Sequence, residues 1–230
     1  LETIGQGAFS GCSALEHVDD LYSLTRLEYD VFSHCVSLIS VDCSDKLTAI
    51  GSSAFFGCKA LVSIGDLSNV TSIESSVFRG CIALKSIGNM PKLESIGMQC
   101  FMGCTALETV GDLSSLKEIP SETFDGCTSL VSIGDLSNVT IIGSYGFNQC
   151  KKLTSIPNLG SLERVDQFAF SGCESLALLG NLRKLTSFGN SPFVNSPFHN
   201  CPNLVLEVLP DSAAEQYAKN YSMRYTYITE

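Results

Sequence analysis

The chain has 230 residues, 44% of them hydrophobic, and a formal net charge of −10. That apolar content excludes a disordered chain, and the negative charge argues against nucleic acid or an anionic membrane surface, both of which are held through Lys and Arg. No run of 18 apolar residues is present, so no membrane insertion by this segment is expected, and no signal-peptide pattern occurs in these residues.

The first stretch, "LETIGQGAFSGC", already lies inside a motif, which suggests further repeats or another domain ahead of Leu1 in a longer protein. From Cys12 onward one cysteine recurs every 23 residues: Cys12, Cys35, Cys58, Cys81, Cys104, Cys127, Cys150 and Cys173. A fixed period of this size is the mark of a solenoid. Leucine stands three residues after each of these cysteines, from Leu15 to Leu176. Further apolar residues follow at the sixth, ninth, twelfth and fifteenth positions, with Ser44 the exception in the ninth. The twentieth position is Phe32, Phe55, Phe78, Phe101, Phe124, Phe147 and Phe170, and Phe9 leads that series. The decapeptide "VSIGDLSNVT" occurs twice, at 62–71 and 131–140, three periods apart.

Apolar residues three apart suit a coil of short straight segments better than an amphipathic helix. Branched residues favour strands, and Gly with Asp or Asn favours corners. A single unit cannot hide its apolar edge, but stacked units share one core. About nine coils, paired as parallel strands at ~4.8 Å, form a rod roughly 40 Å long.

The repeat "LxxIGxxAFxxCxxLxxI", carried almost unchanged by residues 4–15 and 50–61, resembles the BspA-like leucine-rich repeat. It departs from that family's usual corner, reading "IGDL", "IGNM" or "VGDL". The resemblance implies an α/β solenoid, mostly of short parallel strands: a right-handed, curved, leucine-rich-repeat solenoid over 1–205. Residues 206–230 would form a C-terminal helix-strand cap within the same domain. It also implies an extracellular or cell-surface setting. The expected role is protein–protein interaction or adhesion through the concave face, to host matrix or another surface protein.

Three ladders follow from the period. The ladder cysteines read either as rung-to-rung disulfides or as small buried thiols. Metal binding would need closely spaced pairs with a convergent partner, whereas no two ladder cysteines are close in sequence and only three His exist, so no metal or cofactor is expected. Cys100 reads as another small core residue, and Cys43, at a corner usually held by Asp or Asn, as the thiol best placed to be exposed. The Phe ladder reads as a core stack, each ring contributing ~2–3 kcal/mol of transfer free energy. The third ladder is polar: Asp20, Asp66, Asn89, Asp112, Asp135, Asn158 and Asn181, preceded by Ser40, Ser63, Ser86, Thr109, Ser132 and Ser155. It reads either as a binding strip or as turn chemistry in which each side chain bonds its own backbone. Glu16, His17, Lys85 and Glu108 should be exposed beside it.

The period breaks between Cys173 and Cys201, where "NSPF" occurs at 190–193 and again at 195–198, as from a five-residue duplication projecting as a bulge. His199 beside it is assigned no role. "NLVLEVLP" then reads as a last strand, "DSAAEQYAKN" as a helix opened by a Ser212–Glu215 capping box, and "MRYTYITE" as a final strand. Ala214, Tyr217, Ala218 and Tyr221 share one helical face.

No G-x-S-x-G, H-E-x-x-H, Walker or dinucleotide-binding fingerprint is present, so an enzyme is not expected. The alternatives to an interaction module are a structural spacer of a larger surface protein and a glycan-binding surface.

Overall fold

A computed structural model describes residues 3–43, 45–189 and 196–229, with Asp20 described by its backbone alone. The chain is a solenoid of parallel strands, about nine turns long, with one helix among the described residues, at the C-terminal end. Each regular turn contributes two short strands. In chain order these are β1 (His17–Leu21), β2 (Arg26–Leu27), β3 (Ser40–Cys43), β4 (Ala49–Ile50), β5 (Ser63–Ile64), β6 (Ser72–Ile73), β7 (Ser86–Ile87) and β8 (Ser95–Ile96). They continue as β9 (Thr109–Val110), β10 (Glu118–Ile119), β11 (Ser132–Ile133), β12 (Ile141–Ile142), β13 (Ser155–Ile156), β14 (Arg164–Val165), β15 (Leu178–Leu179) and β16 (Ser187–Phe188). The tail adds β17 (Val205–Val208), α1 (Ala213–Asn220) and β18 (Arg224–Tyr227).

Odd-numbered strands stack on odd-numbered strands, and even on even, parallel and 23 residues apart through β16, except that a register shift sets Leu21 opposite Cys43 and that the second sheet is interrupted between β8 and β10. Regular pairing in the first sheet is interrupted twice, after β5 and after β11, but backbone bonds cross both gaps: Lys85 N–H to Val62 O at 3.5 Å and Thr154 N–H to Val131 O at 3.4 Å. Within a strand one residue faces out and the next faces the core, as in Ser86–Ile87.

A third side, running through "AFxGC", pairs coils without regular strand. Here alternate N–H groups reach the following coil: Ser53 to Ser75 O, Phe55 to Val77 O and Gly57 to Arg79 O. The intervening N–H groups of Ala54, Phe56 and Cys58 fold back on carbonyls three residues earlier. This alternation needs left-handed residues. Ser53, Ser76, Gln99, Glu122, Tyr145 and Phe168 all sit at φ between 56° and 60°. Glycine before the cysteine takes the same region where it can, with Gly57 at 69°. Gly134, which follows the inward Ile133, has a different reason. A Cβ on Gly134 would lie 2.1 Å from Gly111 O in the preceding coil, so close backbone approach, rather than a turn, selects glycine there.

The core is one continuous cluster along the rod. Phe32, Phe55, Phe78, Phe101, Phe124, Phe147 and Phe170 are fully buried. Successive rings lie 5.1–5.5 Å apart, nearly parallel, from Phe9 to Phe170. Phe198, from the second "NSPF", closes the stack at 6.0 Å from Phe170. The first copy lies outside the described residues.

The ladder cysteines are all free thiols, and they do more than fill space. From Cys35 to Cys173 each donates to the carbonyl of the phenylalanine in the preceding coil: Cys58 to Phe32 O at 3.0 Å, Cys104 to Phe78 O at 3.0 Å, Cys127 to Phe101 O at 3.2 Å. That carbonyl already accepts the cysteine N–H of its own coil, so the thiol supplies its second hydrogen bond. Two expectations need correction. Cys43 is buried, because β3 runs on through it and turns its side chain inward opposite Leu21; burial pushes its thiol up to about 12. Cys12, by contrast, is exposed, because among the described residues no coil packs on its outer side.

At the C-terminal end β17 pairs with β15, and β18 pairs with β17. Ser212 caps α1 by accepting the Glu215 N–H at 3.2 Å, while Glu215 Oε2 accepts the Asp211 N–H at 2.9 Å. Ala214, Tyr217 and Ala218 are buried against the core, with Tyr217 stacked on Phe188 at 3.9 Å. Glu215 also accepts from Tyr227 Oη at 2.6 Å and pairs with Lys219 at 2.8 Å, which ties helix to last strand.

Candidate functional site

The polar rows lie along the first sheet. Because inward Val41, Ile64, Ile87 and Val110 commit their strands to the core, Ser40, Ser63, Ser86, Thr109 and Ser132 face solvent, in register from rung to rung. Only the first joins a neighbour's side chain: Ser40 Oγ lies 2.9 Å from His17 Nδ1. The hydroxyls of Ser63, Ser86, Thr109 and Ser132 bond no other described side chain and are open to solvent. Glu16, His17, Lys85 and Glu108 are exposed beside them.

The Asp/Asn row follows each strand. Asp66, Asn89, Asp135 and Asn158 are exposed, while Asp112 and Asn181 are half-buried. Each aspartate bends onto the serine two residues on. Asp66 accepts the Ser68 N–H at 2.8 Å and its hydroxyl at 3.0 Å; Asp112 and Asp135 make the same pair of bonds with Ser114 and Ser137. The asparagines bond between coils instead. Asn89 Oδ1 accepts the Asp112 N–H at 3.0 Å, and Asn181 donates to Asn158 Oδ1 at 3.3 Å while accepting from Arg183 at 2.6 Å. The rows are thus brought onto one face, but the carboxylates do not converge on a common point. Among the described residues no group of three or more His, Cys, Asp and Glu could hold a metal ion.

The thiols offer no nucleophile in this core. Burial pushes Cys58 and Cys104 up to about 12 and Cys201 up to about 11. Cys81, Cys100, Cys127 and Cys150 move in the same direction for the same reason.

One set of surface residues escaped the sequence reading. Ile39, Val62 and Val131 stand in the row just ahead of the hydroxyls, each about 40% exposed, in backbone register with Glu16, Lys85 and Glu108. The available signal was phase: each follows an inward leucine directly, where the period asks for no apolar residue.

The sequence profile of the BspA type Leucine rich repeat region matches this chain in six copies, over residues 1–108 and 94–213. Among solved structures, a leucine-rich repeat protein from Eubacterium ventriosum ATCC 27560 is similar at TM-score 0.59 and 20% identity, covering 80% of this chain and 66% of that one. The T. pallidum leucine rich repeat protein is similar at TM-score 0.55 and 25% identity, covering 90% and 81%. A leucine-rich repeat protein from Bacteroides ovatus ATCC 8483 has 23% identity and TM-score 0.48, covering 100% and 82%. No curated protein matches the chain.

Proposed function

The chain belongs to the BspA-type leucine-rich repeat family, and from that premise we propose that it is a non-enzymatic interaction scaffold, cell-surface or secreted, whose binding surface is the outer face of the first sheet. One observation carries this reading. The apolar residues that repeat are consumed in stacking coil on coil, whereas Ile39, Val62, Lys85, Glu108 and Val131 are exposed, in register and of mixed apolar, basic and acidic character along the row. A surface that varies while its scaffold stays constant suits recognition. The hydroxyls of Ser63, Ser86, Thr109 and Ser132 supply polar contacts between those side chains, and the Asp/Asn row borders them. The partner is a protein of the host matrix or another surface protein.

Immobilised full chain, offered to a panel of matrix proteins and to a glycan array, tests this. Saturable binding to a matrix protein, weakened tenfold or more by Ile39→Glu or Val131→Glu, is expected. Binding confined to the glycan array would replace the protein partner with a sugar. Uniformly negative arms would leave the second reading, a structural spacer, which the closure of Asp66, Asp112 and Asp135 onto their own serines favours.

A further inference from the structure

We propose that the free edge of β16, facing α1, is a docking site for an extended peptide segment of a partner protein, added as a parallel strand. This goes beyond the sheet face of the preceding section and does not depend on it.

The second sheet ends at β16. Upstream, most turns offer the same two carbonyls to the next, the exception being β8, where the residue placed to donate to Ile96 O is Pro120: Thr140 O accepts from Glu163 and Arg164 and Ile142 O from Asp166, then Glu163 O accepts from Thr186 and Ser187 and Val165 O from Gly189. One coil later the equivalents are Thr186 O and Phe188 O, and among the described residues neither accepts a hydrogen bond. The reason is the change of element. Where the next strand would lie the chain forms α1, and no N–H of that helix reaches either carbonyl.

Between strand and helix remains a groove of about 470 Å³ lined by Thr186, Phe188, Ala213, Gln216, Tyr217 and Asn220 among others. Ala213, Gln216 and Asn220 are exposed along its helical wall, and the Phe188–Tyr217 ring pair forms its apolar floor. Two carbonyls two residues apart require N–H donors at strand spacing, which an extended backbone presents and a folded helical surface does not. The occupant is therefore a strand, continuing the ladder that already joins the coils. Its donors fall at p, p+1 and p+3, as in the chain's own coils. The side chain at p+2 is apolar and meets the Phe188–Tyr217 floor.

The probe is a fluorescently labelled peptide of residues 91–99, PKLESIGMQ. In its own coil it donates from Glu94, Ser95 and Gly97 in this pattern. Titration with the folded chain, read by anisotropy, should show saturable binding. N-methylation of the peptide at the residues equivalent to Glu94 and Gly97 should weaken it tenfold or more. Ala213→Arg and Gln216→Arg, both at exposed groove positions, should each do the same while leaving the urea midpoint unchanged. A triple Asp66→Ala, Asp112→Ala, Asp135→Ala variant should bind as the parent does, which separates this site from the sheet face. Absence of saturation at millimolar peptide overturns the proposal. So does undiminished binding of the N-methylated peptide, which would make the groove a pocket for an apolar side chain alone. A mass that rises with protein concentration and is abolished by Ala213→Arg would assign the groove to a second copy and overturn it as well.

Discussion

Substituting Phe101 and Phe9 by alanine compares one residue type, at one phase of the repeat, in two environments. Phe101 is fully buried between Phe78 at 5.2 Å and Phe124 at 5.3 Å. Phe9 is 36% exposed, and Phe32 at 5.5 Å is its one ring neighbour among the described residues. Truncating a core phenylalanine costs ~3–5 kcal/mol through lost transfer energy and the cavity left behind. At Phe9 a third of the ring is already wet and one side has no ring against it, so about 1–2 kcal/mol is expected on the same scale. Against a total stability on the order of 5–15 kcal/mol, the first substitution is severe and the second mild. Urea unfolding followed by far-ultraviolet circular dichroism measures both. Equal losses, within ~0.5 kcal/mol, would refute the argument that each coil is stabilised by the coils on both sides of it.

Thiol labelling of the folded chain should modify Cys12 rapidly and Cys201 slowly, leaving the other nine cysteines untouched until denaturant is added; fast labelling at Cys43 would contradict its burial. Glycine-to-alanine substitution should separate two positions that share one place in the repeat: Gly134→Ala, whose Cβ would meet Gly111 O at 2.1 Å, should cost ~1–3 kcal/mol, whereas Gly88→Ala, with nothing within 4 Å, should be nearly neutral by thermal unfolding. Glu215 is held down to about 2 by Lys219, then Tyr227 and the Asp211 N–H, against an ordinary 4.5. Its folded value is the lower one, so it adds stability above about 4.5 and loses it as pH falls toward about 2. Glu215→Gln should lower the thermal midpoint near neutral pH and flatten the acid limb of the midpoint–pH curve; an acid limb identical to the parent's would show that this carboxylate is not the tie between α1 and β18.

The 23-residue spacing of cysteine, leucine and phenylalanine was enough to read the coils, their stacking, the buried Phe row and the tail's strand–helix–strand order. Those features follow from local chemistry repeated in phase, and a repeating pattern has few ways to hide its apolar edge. The candidate surface was less legible. The hydroxyl and Asp/Asn rows could be named from the period, but their side-chain bonds could not. Asp66 bends to Ser68 two residues on, a local event the sequence permits; Asn89 bonds Asp112 in the next coil, which requires the rung above to be in place. Ile39, Val62 and Val131 were missed because, beside a conserved phase of inward leucines, an apolar residue one step away looks like more core.

Sequence alone determined that the chain repeats, how long each turn is and which residues must face inward, because periodicity and burial are properties of a single coil. Tertiary structure decided what depends on the coil before and the coil after. It turned the Cys58 thiol into a donor for Phe32 O, drew Cys43 inside, left Cys12 outside and reserved glycine at 134 for a neighbour's carbonyl. It also ended the second ladder at β16, where Thr186 O and Phe188 O accept no hydrogen bond among the described residues. The physical reason is common to all of these: a contact between residues 23 or 26 apart is set by the rise and register of the stack, which no one turn of the sequence contains.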